Sequence, residues 1–213
     1  MSHACCSHDH APASRATSPR YRRVLWLALI VNGAMFVAEL AGGLRAGSVS
    51  LLADAVDFFG DAANYGISLL VLGMALSWRA RAAWLKGLTM GLFGVFVLGR
   101  AAWSASTGQV PQPLTMGTIG AVALLANLAV AALLYAWRDG DANMRSVWLC
   151  TRNDAIGNVA VMLAAAGVFT TATAWPDLAV AAGMAILAIS AGLEVLQRAR
   201  RELRRPAHLT HGQ

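Results

Sequence analysis

Three carboxylates stand within eight residues of a stretch otherwise apolar enough for a bilayer: Asp54, Asp57 and Asp61 in Ser48–Asn64, SVSLLADAVDFFGDAAN. On an insertion scale each aspartate at the centre of a membrane helix costs about 2.5–3.5 kcal/mol, so three so close together require a purpose. At about 3.6 residues per turn, positions 54, 57 and 61 fall on one helix face. Asp57 and Asp61 stack at i, i+4, with oxygens within reach of one ion. The chemistry this permits is half of a metal site inside a membrane.

A second pair repeats the spacing. Cys150-x-x-x-Asp154 is again i, i+4 on a predicted helix. If the two helices run in opposite directions, Asp57, Asp61, Cys150 and Asp154 can surround one point. Four ligands of S/O type suit a tetrahedral divalent ion such as Zn²⁺ or Cd²⁺. A thiolate moves preference towards softer ions and away from Mg²⁺, Ca²⁺ and Mn²⁺. Cys150 alone would read as a small buried hydrophobe; its spacing to Asp154 makes it a ligand. Asp54 reads either as a proton carrier or ligand support, or as a buried hydrogen-bonding residue. Asn64 and Asn158 lie one turn past Asp61 and Asp154 and are candidates to orient the ligands. Asn32 and Glu39, at i, i+7 on the first helix, share a face; Glu39 is expected to stay protonated or to bond another helix. All five histidines (His3, His8, His10, His208, His211) lie in the two tails.

The elements that must position these residues follow from composition. The chain has 213 residues, of which 57% are hydrophobic and 13% charged, where a soluble domain would carry roughly 25% charged residues. An all-α integral membrane protein of six helices is expected, spanning residues 22–200 as one domain, with no soluble domain and no enzyme. The net charge of +6 is not a nucleic-acid footprint, because the arginines sit at membrane edges. Three cysteines do not make a disulfide framework.

Residues 1–21 read as a polar tail, expected to be disordered. MSHACCSHDH places His3, Cys5, Cys6, His8 and His10 close together, a compositional metal-collecting signal; an ordinary solvated tail is the alternative. The first helix, about Val24–Leu44, then doubles as an uncleaved anchor. Further spans are expected near Val49–Ser77, Trp84–Ala105, Met116–Trp137, Ser146–Thr171 and Trp175–Gln197, each long enough to cross a bilayer. Gly87-x-x-x-Gly91 with Gly94 offers a smooth surface, for a dimer seam or for packing within one protomer. A short basic tail covers 201–213. Fourteen of the seventeen Lys and Arg fall in the N-tail, the 2–3 and 4–5 connections and the C-tail, which places both termini in the cytoplasm.

Together these segments resemble a cation diffusion facilitator. GSVSLLADAVDFFGDAAN is similar to that family's second helix and NMRSVWLCTRNDAIGNVAV to its fifth; Asn32, Glu39, Gly42-Gly43 and Trp175-Pro176-Asp177 also fit. The resemblance covers about residues 22–200. It implies a six-helix exporter of divalent metal in the cell's inner (plasma) membrane, driven by protons moving the other way. It also implies a transport site at Asp57, Asp61, Cys150 and Asp154. The family commonly has histidine at the position of Cys150, and its zinc transporters often have another at that of Asp57; the set here brings Cd²⁺, Hg²⁺ and Pb²⁺ alongside Zn²⁺. The family's C-terminal cytoplasmic domain is not represented, so a homodimer is expected to be held by membrane helices. No cofactor is implied beyond the transported ion.

Two other classes of protein could use some of the same residues. A small metal-uptake protein would receive soft metal at Cys5 and Cys6 and pass it inward, but those cysteines sit on the tail expected to be cytoplasmic. A membrane enzyme acting on a lipid phosphate would pair acids with basic groups, and only Arg152 is near.

Overall fold

The computed structural model describes residues 19–70, 76–136 and 142–204. The N-terminal His/Cys tail and the end of the basic tail, where two expectations fall, lie outside the described residues. The described residues form six helices: α1 (Pro19–Ala46), α2 (Val49–Leu70), α3 (Leu76–Thr107), α4 (Pro113–Tyr135), α5 (Ala142–Thr171) and α6 (Trp175–Arg204). The all-α expectation is met. Several bounds differ from the sequence reading: α1 begins at Pro19 rather than near Val24, α5 at Ala142 rather than near Ser146, and Leu76 and Ser77, expected within the second span, lie in α3. α3 begins at Leu76 rather than near Trp84, and α6 continues to Arg204 rather than ending near Gln197. Arginine is a good helix former, so the charged flanks extend these helices beyond their apolar spans.

Among the described residues, five helices, α1, α3, α4, α5 and α6, contain a segment long and apolar enough to cross a membrane. In α2, every window of eighteen residues contains Asp54, Asp57 and Asp61, which is why its composition alone does not mark it as a span. Its packing is unusual in the opposite sense: α2 touches α1, α3, α5 and α6 and buries most of its length. The most extensive pairings are α3 with α6, α1 with α2 and α4 with α5.

The distribution of polarity is that of a protein dissolved in lipid. Ile30, Val37, Leu125, Leu163 and Phe169 are outward and exposed. Asn32, Glu39, Asp54, Asp61, Asn127 and Asn158 are buried. Water would favour the reverse arrangement, whereas hydrocarbon confines ionisable groups to the bundle interior. The acidic face of α2 lies between two apolar clusters. One joins Val49, Leu52 and Val56 to α5 and α6 through Val161, Val168 and Ala181. The other joins Tyr65 and Leu69 to Tyr21, Leu25, Val130 and Leu134.

Helix ends fix how α2 enters the bundle. Gly47 has φ +68°, and Ser48 N–H donates to Gly43 C=O at 3.0 Å, a left-handed close to α1 that glycine adopts without strain. Ser48 then caps α2, its Oγ accepting from Leu51 N–H at 3.2 Å. Asp177, in the first turn of α6, reaches the same end. Its carboxylate accepts from Val49 N–H (2.8 Å), Ser50 N–H (3.0 Å) and Ser48 Oγ (2.8 Å). These bonds satisfy donors that the start of a helix leaves without intrahelical partners.

The small residues of α3 serve packing within one protomer. A Cβ at Gly87 would lie 2.8 Å from Gly192 C=O on α6, and one at Gly94 would lie 2.6 Å from Ile189 Cγ1. The glycine surface is therefore the α3–α6 contact, one of the two uses read from the sequence.

Candidate metal-binding site

The candidate ligands stand on α2 and α5, which pack against each other. Three facing pairs define an antiparallel register between the helices. Asp54 Oδ1 would be 3.8 Å from a Cβ at Gly157, Asp61 meets Asp154, and Tyr65 meets Thr151. Position numbers rise along α2 as they fall along α5, as two facing i, i+4 pairs require.

At the centre, the Asp61 and Asp154 carboxyls are in hydrogen-bonding contact. Two unit charges of like sign about 4 Å apart repel by about 4 kcal/mol at an effective dielectric constant near 20. Ionised together the two would repel, so the contact needs a compensating proton or cation close by, and the Lys86 ammonium of α3 is within electrostatic range of Asp61. Asp154 Oδ2 has no hydrogen-bond partner among the described residues. Asp61 is buried, while Asp57 and Asp154 each keep part of their surface accessible. Asp57 lies within electrostatic range of both Asp61 and Asp154.

Cys150, the fourth predicted ligand, falls on α5 one turn before Asp154, and its side chain lies outside the described residues. Among the described residues, no three His, Cys, Asp or Glu side chains stand together as a metal-holding cluster. The described aspartates are spread along the shared face, with Asp61 and Asp154 the pair in contact.

Other candidate residues take different places. Asp54 is 1% exposed and Glu39 on α1 is 0% exposed. No N–H or O–H among the described residues reaches either Glu39 oxygen; its polar neighbour is the Asp54 carboxyl, with which it can share a proton. Asn158 accepts from Asn127 Nδ2 at 3.1 Å, joining α5 to α4 rather than turning to Asp154. Asn32 donates to Ala28 C=O at 2.8 Å within its own helix. Asn64 accepts from Lys86 Nζ of α3.

Sequence reasoning missed three participants. Tyr65 Oη donates to Asp61 Oδ2 at 3.2 Å and lies 2.7 Å from Thr151 Oγ1. Its position at i+4 from Asp61 was the available signal. Thr151, beside the expected ligand Cys150, had none, because its role depends on which way α5 turns. Lys86, 7% exposed, was read as a boundary charge.

The sequence pattern of the cation efflux transmembrane domain matches residues 25–204, and the chain belongs to that family, a family of transporters rather than enzymes. The resemblance read from the two helix motifs is thereby borne out. The chain is similar to the zinc transporter ZitB of Pectobacterium atrosepticum, 28% identical over 172 residues, covering 75% of this chain and 52% of that protein. It is also similar to a cadmium, cobalt and zinc/H(+)-K(+) antiporter of Bacillus velezensis, 24% identical over 205 residues, covering 89% and 63%. A third relative is the metal cation efflux system protein CzcD of Cupriavidus metallidurans, 24% identical over 187 residues, covering 82% and 57%. The chain spans between about half and two thirds of the length of these relatives.

Proposed function

We propose that this chain exports a divalent transition metal, Zn²⁺ and/or Cd²⁺, in exchange for protons, through a four-ligand site of Asp57, Asp61, Cys150 and Asp154. The observation that carries the proposal is the meeting of Asp61 with Asp154 across the α2–α5 contact. Membership of the cation efflux family and the metals named for the relatives support it. In this reading α2 is a sixth membrane span, tolerated in lipid because four helices surround it. Both termini face the cytoplasm of a cell whose inner membrane holds the protein. The transport domain covers 22–200, and the membrane helices hold a homodimer.

The exchange follows from shared ligands. Metal binding requires ionised aspartates and a thiolate, so metal and protons compete for the same atoms. From the cytoplasm, an ion entering the site replaces the proton between Asp61 and Asp154 and draws Asp57 and Cys150 in. Rocking of α2 and α5 against their neighbours then opens the site outward, where protons displace the ion. The protonated site carries less charge through the low-dielectric centre than four bare anions would, so the return is cheaper. The tail residues His3, Cys5, Cys6, His8 and His10 collect metal on the cytoplasmic side.

Inverted membrane vesicles from cells producing the chain test direction and coupling together. Export predicts that respiration, which acidifies the lumen, drives Zn²⁺ or Cd²⁺ inward and that a protonophore abolishes accumulation. Loss of preloaded metal from the lumen under the same conditions would instead support uptake.

A further inference from the structure

The chain contains one lysine, Lys86, against sixteen arginines. It lies within the apolar span of α3, residues 83–107, and is 7% exposed. Its Nζ donates to Asn64 Oδ1, one turn past Asp61 towards the α2–α3 connection, and its ammonium is within electrostatic range of Asp61. Nearby Arg81, by contrast, is exposed. Burying an ammonium costs several kcal/mol unless opposite charge and hydrogen bonds compensate. An ammonium beside a carboxylate that binds metal also works against the metal, because both cations seek the same oxygens.

Lysine suits this position for a physical reason. Its ammonium is a compact point charge on a flexible stem, able to approach a carboxylate and withdraw, whereas a guanidinium would hold the carboxylate in a rigid fork. Asn64 supplies a neutral acceptor that parks the ammonium beside the site.

We propose that Lys86 is the resident counter-cation of the acidic face: in the metal-free protein it neutralises Asp61 from the Asn64 side, and an incoming divalent ion must displace it. This role rests on the transport-site reading above. Lys86 is thus a positioning residue that weakens metal binding and speeds release, and it sets a charge threshold that favours divalent over monovalent ions.

The single lysine makes the test direct. The full chain in lipid nanodiscs is treated with an amine-reactive reagent with and without Cd²⁺, and modification of the Lys86 peptide is followed by mass spectrometry. Cd²⁺ is expected to raise Lys86 modification severalfold, and Asp154→Ala to abolish that rise. Lys86→Gln is expected to bind Cd²⁺ about tenfold more tightly while turning over more slowly, with Lys86→Arg retaining weak binding. Lys86 reactivity unmoved by Cd²⁺ in a protein whose transport still requires Asp154 would overturn the counter-cation role and leave the site reading standing. Cd²⁺ transport that survives Asp154→Ala would overturn both. Unchanged Cd²⁺ affinity in a folded Lys86→Gln variant would also overturn it.

Discussion

The hydroxyls of Tyr65 and Thr151 lie 2.7 Å apart and join α2 to α5 directly beside Asp61, to which Tyr65 also donates. The bond fixes the rotation of both helices at the level where their carboxylates meet. A change of register here would separate Asp61 from Asp154.

Tyr65→Phe removes both bonds and keeps the ring in its apolar cluster. A net hydrogen bond contributes about 0.5–1.5 kcal/mol, so a loss of metal affinity of about three- to tenfold is expected in equilibrium binding. Thr151→Ala should give a similar loss. The double variant should be little worse than either single one, because the two residues act as one link.

Asp177 acts on the same helix from its other end. Asp177→Ala leaves Val49 and Ser50 N–H groups without their acceptor. The expected cost is about 1–3 kcal/mol, seen as a lower melting temperature in detergent. The ratio of Zn²⁺ to Cd²⁺ transport should stay as in the intact protein.

The acidic face of α2 and the all-helical architecture were legible because they depend on spacing along one helix. Asp54, Asp57 and Asp61 share a face at any helical rotation, and i, i+4 needs no knowledge of neighbours. The contacts between helices were not. Asp177 read only as part of the Trp175-Pro176-Asp177 motif opening the sixth span, yet it caps α2 across 128 residues of sequence separation from Val49. Asn158 stood one turn from Asp154 but turns to Asn127, since helix rotation and not spacing decides which neighbour a polar group meets. Lys86 read as a boundary marker because a single cation near a loop carries no pattern. The Gly87–Gly94 surface announced close packing, while its partner, α6, emerged only from the fold.

That packing gives a paired test. Gly87→Ala puts a methyl 2.8 Å from a backbone oxygen, whereas one at Gly99 meets nothing within 4 Å. Gly87→Ala should destabilise the α3–α6 contact by about 1–3 kcal/mol in detergent unfolding. Gly99→Ala should be neutral or slightly stabilising, as helix propensity alone dictates.

Cys150→Ser exchanges a soft donor for a hard one at the same spacing. Cd²⁺ transport should fall by more than Zn²⁺ transport, measured as flux of each ion at matched concentration. Equal losses would remove the thiolate from the ligand set.

The central claim is that metal and protons exchange at the carboxylates between α2 and α5. Its most direct test is Zn²⁺ and Cd²⁺ flux in proteoliposomes with and without a pH gradient, for the intact chain and Asp154→Ala. The account predicts flux that follows the gradient, slows as the metal-donor side is acidified, and vanishes in the variant. Gradient-driven flux that persists unchanged in Asp154→Ala would contradict it.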